Sequence, residues 1–203
     1  MVKIDEIMRA APVIPVLVLE EELDWGALAE TFVSAGLPVI EVTLRTPIAL
    51  DAIRQMARVD GAIVGAGTVL NERQLEQAAE AGSQFIVSPG LTETLAKATI
   101  RAGIPYLPGV ATAGDIMRGL DLGLDRFKFF PAEAAGGMAA LKALSAPFAN
   151  VRFCPTGGIR PDNAADWLAL PSVLCVGGTW LYPGDDRGKA VRERALAASA
   201  LHR

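Results

Sequence analysis

The sequence has few of the side chains that bind metals or most often move protons. It contains one histidine, His202, and two cysteines, Cys154 and Cys175. A zinc ion usually takes about three or four nitrogen and sulfur ligands, so these residues do not predict a metal site. His202 is the next-to-last residue, where chains are often poorly ordered, and it is a poor candidate for a catalytic base. We expect both thiols to be reduced and buried.

The chain also lacks an excess of positive charge and a long hydrophobic run. Its formal net charge is −4, which does not predict a surface for nucleic acid or for an anionic membrane. The apolar run at 10–19 is short, contains Pro12 and Pro15, and leads into acidic residues. It therefore predicts a first helix and a buried strand rather than a signal peptide or a membrane span, and we expect a cytoplasmic protein.

What the sequence does have is a regular alternation of short apolar segments and longer segments rich in Ala, Leu, Glu and Arg. The apolar segments predict strands at 13–19, 39–44, 62–65, 84–88, 104–107, 126–130, 151–155 and 173–176. Helices are predicted between them, including 24–34, 49–57, 72–81, 93–102 and 113–122.

Eight such strand and helix units predict a parallel sheet with crossover helices. They can close as a (β/α)₈ TIM barrel with an additional N-terminal helix, and an open doubly wound sheet is the competing architecture. No linker or change in composition divides the chain, so we expect residues 1–203 to form one domain.

Charged residues interrupt the second predicted strand. Glu41, Thr43 and Arg45 share one face, whereas Ile40 and Val42 lie on the other and would pack against helices. A buried carboxylate and a buried guanidinium are costly unless they are paired or used. The pattern therefore indicates either a structural ion pair near the strand end or a functional site.

A lysine lies within the sixth predicted strand. Phe127 and Phe129 would face the helices, which turns Arg126, Lys128 and Phe130 the other way. Burial favours a neutral amine, and a neutral amine attacks a carbonyl carbon to form a Schiff base. The alternative is a structural lysine that extends along apolar surface to reach solvent.

Glycine-rich turns follow the last two predicted strands. Gly157 and Gly158 follow Thr156, and Thr179 follows a second glycine pair, Gly177 and Gly178. Phosphate groups often bind at the loops after strands seven and eight of a barrel, where glycine lets backbone N–H groups approach an oxyanion. One glycine pair alone would also fit a plain turn, but two at this position in the barrel favour a phosphate site.

Several of these segments together resemble a known family. The matching segments are residues 41–46, 65–71, 88–90, 127–133 and 152–159, and the resemblance extends from Pro12 to about Trp180. The sequence is similar to the KHG/KDPG aldolases. The resemblance implies a class I, Schiff-base aldolase of the Entner–Doudoroff pathway. Such an enzyme cleaves 2-keto-3-deoxy-6-phosphogluconate (KDPG) to pyruvate and D-glyceraldehyde 3-phosphate, with 4-hydroxy-2-oxoglutarate as a further candidate substrate that gives pyruvate and glyoxylate.

The resemblance also implies roles for individual residues. Lys128 is the expected Schiff-base nucleophile, and Glu41 is the expected general acid and base. Arg45 would bind the pyruvyl carboxylate. The remaining expected substrate contacts are Thr68, Pro89, Phe130, Thr156, Gly157, Gly158 and Thr179.

One of these positions departs from the family pattern, because Thr179 stands where serine is usual. Threonine keeps the hydroxyl, so we expect phosphate binding to be retained. The resemblance further implies a homotrimer that needs no metal and no cofactor.

Three other functions fit parts of the pattern. The first is cleavage of 2-keto-3-deoxy-6-phosphogalactonate, which differs from the gluconate substrate at one stereocentre. The second is a phosphosugar isomerase or synthase in which Lys128 acts as an acid or base. The third is a non-catalytic barrel that binds phosphate, but it leaves Glu41, Arg45 and Lys128 without a purpose.

Overall fold

The computed structural model describes residues 3–21, 23–184 and 189–201, so His202 lies outside the described residues. Within these ranges strands and helices alternate as the sequence predicts, after one additional helix at the start. The strands are β1 (Val13–Leu17), β2 (Val39–Thr43), β3 (Ile63–Gly67), β4 (Phe85–Ser88), β5 (Tyr106–Val110), β6 (Arg126–Phe129), β7 (Arg152–Pro155) and β8 (Val176–Gly178). The helices are α1 (Ile4–Arg9), α2 (Trp25–Ser34), α3 (Ala49–Met56), α4 (Glu72–Glu80), α5 (Glu93–Ala102), α6 (Ala113–Asp121), α7 (Gly137–Ser145), α8 (Ala164–Leu168) and α9 (Lys189–Ser199).

The strands form one parallel sheet that curls into a barrel. Their order is β7-β6-β5-β4-β3-β2-β1-β8, and parallel bridges between Thr156 and Gly177 and between Phe153 and Val173 join its two ends. The competing open sheet is therefore excluded, and the (β/α)₈ barrel with an N-terminal helix is confirmed. No helix among the described residues is both long and apolar enough to cross a bilayer.

Side chains of alternate strand residues divide between two apolar layers. The larger layer lies between the strands and the surrounding helices and contains residues such as Val42, Phe127 and Phe153. The smaller layer fills the inside of the barrel, and α1 contributes Ile7 and Met8 to it. The first helix therefore covers the amino-terminal end of the barrel, and the carboxyl-terminal strand ends form the open end.

Polar caps at the starts of several helices fix where the chain leaves each strand. The side chains of Asp24, Asn71, Thr92 and Thr112 each accept a hydrogen bond from a backbone N–H in the first turn of the helix that follows. At the other end of α5, Gly103 adopts a left-handed conformation with φ of 68°, which glycine adopts at no steric cost. These local signals hold the loops between strands and helices to definite lengths.

Two strands begin and end later in the sequence than the apolar segments predict. Residues 104–107 were predicted as the fifth strand, but β5 continues through Pro108 and ends at Val110. Ladder partners on both sides keep it extended, and the fixed φ of proline is compatible with an extended backbone. Residues 173–176 were predicted as the eighth strand, but β8 consists of the glycine pair and the valine before it. Pairing with Ile14 and Pro15 of β1 holds Gly177 and Gly178 extended.

One charged contact attaches α1 to the barrel. Asp5 accepts hydrogen bonds from Arg126 Nε at the start of β6 and from Arg9 Nε, both at 2.6 Å. Burial alone would raise the pKa of the Asp5 carboxyl, but the hydrogen bonds from Arg9 and Arg126 outweigh it and hold that pKa below its ordinary value of 3.8. A group whose pKa is lowered on folding stabilises the protein above its unfolded pKa, and that stabilisation is lost as the pH falls.

We therefore predict that Asp5→Asn lowers the free energy of unfolding at neutral pH by about 1 kcal/mol. The difference between the two proteins should shrink as the pH falls below 3.8, because the Asp5 carboxyl is protonated first in the unfolded chain and then, at its lower pKa, in the folded protein. Urea unfolding at a series of pH values measures this. Asp51→Asn is the matched control, since its ion pair with Arg54 is exposed on α3. A constant difference between wild type and Asp5→Asn across the acid range would contradict the prediction.

Candidate active site

A buried contact between a lysine and a glutamate crosses the open end of the barrel. Lys128 on β6 donates hydrogen bonds from Nζ to both carboxylate oxygens of Glu41 on β2, at 2.9 and 3.2 Å. The two side chains are only 7% and 4% exposed. Because β2 and β6 are four strands apart in the ring of eight, they face each other across the barrel. The two residues that the sequence singled out on separate strands therefore meet.

The neighbours of Lys128 along β6 explain why it points inward. Phe127 and Phe129 are fully buried in the outer apolar layer, where Phe127 packs on Phe153 and Phe129 on Trp167 at ring-centroid distances of 6.4 Å. Since successive side chains of a strand point to opposite faces, the lysine between them enters the barrel.

The surroundings of Lys128 suit a reaction in which a proton leaves the amine. Its Nζ lies 5.4 Å from the centroid of the Phe130 ring, and Glu41 supplies the hydrogen-bond acceptor. Separated charges are costly away from water. Transfer of one proton from Nζ to the carboxylate would leave a neutral amine beside a neutral carboxylic acid. This arrangement can provide a nucleophile and an acid at the same time.

An arginine lies at the rim of the open end. Arg45 follows β2 and donates from Nε to Thr68 Oγ1 at 3.3 Å, and no salt bridge to it is found within the described part of the chain. Thr68 has φ of 58°, the one positive value among the non-glycine residues described. Such a conformation is rare for a β-branched residue, and strain of this kind concentrates at functional sites. The pair is therefore suited to bind an incoming carboxylate.

The Pro89 loop reaches the interior beside Lys128. A Cβ atom added at Gly109 would lie 2.1 Å from the carbonyl oxygen of Pro89, so the loop occupies the space that a side chain would otherwise fill. Gly109 is the register partner of Lys128 in the sheet. The structure therefore places the Pro89 main chain next to Lys128.

Two buried hydroxyls behind the strands fix this loop. Ser88 Oγ donates to the carbonyl oxygen of Gly90 at 2.7 Å and is itself 2.7 Å from Tyr106 Oη. Sequence reasoning missed this pair. Neither residue type is unusual in a strand, and their contact depends on the register between β4 and β5, which a single sequence does not reveal.

The loop after β7 presents backbone N–H groups. The carbonyl oxygen of Gly157 accepts from the backbone of Glu133, and that of Gly158 accepts from Asn163 Nδ2. Both glycines have positive φ values, 96° and 82°. Among the described residues, no hydrogen-bond acceptor is found for the N–H group of Gly158. This group is therefore available to an anion.

Glu133 supports this loop and was also missed as a functional residue. Its Oε1 accepts hydrogen bonds from Trp167 Nε1 at 3.2 Å and from Asn163 Nδ2 at 3.4 Å. Its side chain also occupies the space beside Gly158, where an added Cβ would lie 2.4 Å from Glu133 Cγ. Glu133 belongs to a segment that the sequence did single out, but its partners lie in α8 and directly before it, far along the chain.

The remaining predicted residues lie at the same open end. Thr156 is buried directly after β7, and Thr179 is exposed directly after β8. The bridge between Thr156 and Gly177 holds these two loops side by side. Within the described residues, hydrogen bonds join Lys128 to Glu41 and Arg45 to Thr68, but none joins either pair to Thr156 or Thr179. No group of three His, Cys, Asp or Glu side chains in the described ranges could hold a metal ion.

Comparisons with known proteins match this chain over nearly its whole length. A family model for KDPG and KHG aldolases matches residues 4–193. A Zymomonas mobilis protein named 2-dehydro-3-deoxy-phosphogluconate aldolase is 56% identical over 98% of this chain and 97% of its own length.

Solved structures agree with this result. The crystal structure of the 2-keto-3-deoxy-6-phosphogluconate aldolase from Zymomonas mobilis ATCC 29191 has 55% identity and a TM-score of 0.97, over 99% of this chain and 98% of that one. KDPG aldolase from Legionella pneumophila, solved with pyruvate captured at low pH as a covalent carbinolamine intermediate, has 42% identity and a TM-score of 0.94. That match covers 98% of this chain and 99% of the other.

The hydroxyl pair behind the Pro89 loop gives a prediction about titration. Burial, only partly offset by the hydrogen bond to Ser88, raises the pKa of Tyr106 from 10.0 to about 12. The difference between wild type and Tyr106→Phe in tyrosinate absorption should therefore appear at about pH 12. Tyr182 is present in both proteins and serves as the internal reference. A difference centred near 10.0, the ordinary value, would show that the Tyr106 hydroxyl is not buried as described.

Proposed function

Since this chain belongs to the KDPG and KHG aldolase family, we propose that it cleaves 2-keto-3-deoxy-6-phosphogluconate to pyruvate and D-glyceraldehyde 3-phosphate. It is a carbon–carbon lyase of the class I, Schiff-base type. The observation that carries the proposed mechanism is the buried contact between Lys128 Nζ and the carboxylate of Glu41.

The first half of the reaction forms the covalent intermediate. The neutral amine of Lys128 attacks the C2 carbonyl carbon of the keto acid, and Glu41 as an acid gives a proton to the carbonyl oxygen. Loss of water from this carbinolamine leaves a protonated imine between Lys128 and C2. The 2.9 Å contact between Lys128 Nζ and Glu41 Oε1 supports this step, because the two groups already lie within hydrogen-bond distance before substrate arrives.

The second half breaks the carbon–carbon bond. Glu41, now a carboxylate, takes the proton of the C4 hydroxyl as the bond between C3 and C4 breaks. The bonding electron pair moves into the iminium to form an enamine, and glyceraldehyde 3-phosphate leaves. Protonation at C3 and hydrolysis of the imine release pyruvate and restore the amine. The iminium accepts the electrons, so we propose that the reaction needs no metal and no cofactor.

The rest of the site would hold the two ends of the substrate. Arg45 and Thr68 bind the pyruvyl carboxylate in this proposal, which their mutual hydrogen bond and the absence of a salt bridge to Arg45 among the described residues support. Pro89 and Phe130 line the pyruvyl pocket, because the Pro89 main chain and the Phe130 ring both lie close to Lys128.

The phosphate end would lie at the loops after β7 and β8. The N–H groups of Gly157 and Gly158 and the hydroxyl of Thr179 are the proposed phosphate donors, and Thr156 contacts the substrate chain between the two ends. The free N–H group of Gly158, the positive φ of both glycines and the exposed position of Thr179 support this assignment.

We further propose that residues 1–203 form one domain and that the protein is a cytoplasmic homotrimer acting in the Entner–Doudoroff pathway. Exposed apolar side chains on two successive helices, Ile100 on α5 and Met117 and Leu120 on α6, support an interface between subunits.

The substrate could also be the galactonate stereoisomer or 4-hydroxy-2-oxoglutarate. Cleavage assays on the three keto acids side by side distinguish these possibilities, and a preference for the galactonate compound would overturn the proposed substrate.

The nucleophile can be tested by trapping. Borohydride reduction in the presence of pyruvate should attach a stable three-carbon adduct to Lys128, and peptide mass mapping locates it. Lys128→Ala should form no adduct and lose almost all cleavage activity, because the covalent route is gone. Lys97→Ala is the matched control, since Lys97 lies on the exposed face of α5 and should leave trapping unchanged. An adduct on another lysine, or an active Lys128→Ala variant, would contradict the assignment.

The role of Arg45 predicts a change in binding rather than in chemistry. Arg45→Lys replaces a planar fork that can hold both carboxylate oxygens with a single ammonium group. We expect KM for the keto acid to rise roughly tenfold while kcat changes little, as for a loss of about 1.4 kcal/mol of binding. Steady-state kinetics measures both constants. An unchanged KM would contradict carboxylate binding by Arg45.

A further inference from the structure

Strand β3 contributes no side chain to the interior near the site, because its two inward positions there are glycines. A Cβ atom at Gly65 would lie 2.4 Å from Cζ of Phe85, and one at Gly67 would lie 2.2 Å from Oε1 of Glu41. Phe85 comes from β4 and Glu41 from β2, the two neighbours of β3. The side chains of Phe85 and Glu41 therefore occupy the interior space above β3, which has no inward side chain of its own at Gly65 and Gly67.

The lack of a side chain at Gly67 is required by space and not by backbone conformation. Gly67 has no positive φ, so alanine could adopt its backbone geometry. An added Cβ would nevertheless lie 2.2, 2.7 and 2.8 Å from Oε1, Cγ and Cδ of Glu41, distances that real Cβ contacts essentially never show. The Glu41 side chain would have to move.

The atom that would have to move most is the one that contacts the nucleophile. Oε1 of Glu41 accepts the 2.9 Å hydrogen bond from Lys128 Nζ, and the same oxygen lies nearest to the space above Gly67. In the register of the sheet, Gly67 is the partner of Thr43, two residues beyond Glu41 toward the open end. The carboxylate therefore lies across the Gly67 backbone on its way to Lys128.

We propose that Gly67 is a positioning residue for the reaction: by having no side chain, it lets the Glu41 carboxylate lie against β3 and reach Lys128. The proposal rests on the acid and base role proposed for Glu41. It assigns to a glycine with ordinary dihedral angles a function that depends only on the volume it leaves free.

Two other inward glycines have the same relation to neighbouring strands. A Cβ at Gly177 would lie 2.3 Å from Oγ1 of Thr156, and Gly109 leaves room for the Pro89 carbonyl oxygen in the same way. Gly67, Gly109 and Gly177 thus each give up space to a group at the site that comes from the strand or loop beside them. Because three inward glycines share this arrangement, the space left at Gly67 is a general feature of packing at this end of the barrel.

Gly67→Ala tests the proposal by activity. Misplacing a catalytic group by about 1 Å can cost roughly 10²-fold, so we expect kcat for KDPG cleavage to fall by about that factor. KM should change less, since Arg45 and the phosphate loops are untouched. Gly114→Ala on α6 is the matched control, because the nearest heavy atom to its added Cβ is 3.7 Å away, and it should match wild type. A kcat for Gly67→Ala within about threefold of wild type would overturn the proposal.

A double-mutant cycle separates positioning from general damage. Glu41→Ala removes the side chain that the new methyl would displace, so adding Gly67→Ala to it should lower kcat by no more than about twofold. If Gly67→Ala lowers kcat by the same large factor in both backgrounds, it acts on something other than Glu41 and the proposal is wrong.

The same cycle remains decisive if Gly67→Ala is unstable. The Glu41→Ala/Gly67→Ala protein should then unfold at the same urea concentration as Glu41→Ala alone, because the clash is gone. A double variant that is less stable than Glu41→Ala by as much as Gly67→Ala is less stable than wild type would refute the proposal. Failure of the proposed function gives a different result. If Glu41→Ala retains wild-type kcat, Glu41 does not have the proposed acid and base role. If Glu41→Ala has a low kcat but Gly67→Ala has a wild-type kcat, only the role of Gly67 is wrong.

Discussion

The contact between Lys128 and Glu41 is the interaction on which the rest of the site depends. Its two side chains start from opposite strands of the barrel and meet in the interior, so it exists only when the sheet closes. Two ionisable groups buried in this way destabilise a fold unless their geometry is well fixed. The apolar layers on either side of the strands provide that fixation, since Phe127 and Phe129 anchor β6 from outside while the interior layer fills the barrel below the pair. The same strand ends, those of β2 and β6, therefore contribute both to the packing of the barrel and to the site.

Around this contact the structure uses two kinds of support. Polar support comes from behind the strands, where Ser88 and Tyr106 hold the loop that carries Pro89, and where Glu133 and Asn163 hold the loop of Gly157 and Gly158. Steric support comes from inside, where glycines leave room for groups of neighbouring strands. The residues that would touch substrate are thus held by residues that would not, as a site that must be ordered before its substrate arrives requires.

Much of the fold and of the site could be predicted from the sequence because both depend on alternation. Apolar segments separated by helical ones indicated the barrel, and the polar residues that broke the alternation were Glu41 and Lys128, which the structure brings into contact. The limits of β5 and β8 could not be predicted, because pairing with neighbours outweighs the usual effect of Pro108 and of the Gly177–Gly178 pair as strand breakers. The contacts of Tyr106 with Ser88 and of Glu41 with Gly67 depend on register and on the direction in which side chains lean, and a single sequence specifies neither.

The position of α1 also determines from which end of the barrel the site can be reached. With Ile7 and Met8 packed in the interior layer, α1 covers the amino-terminal end, and the site opens at the carboxyl-terminal strand ends. If the keto-acid carbon is bonded to Lys128 inside and the phosphate lies at the rim, the phosphorylated aldehyde must depart before the three-carbon acid. In the synthetic direction the acid must load first. In that arrangement, a site that opens at one end of the barrel gives a two-product reaction an obligatory order of release and binding.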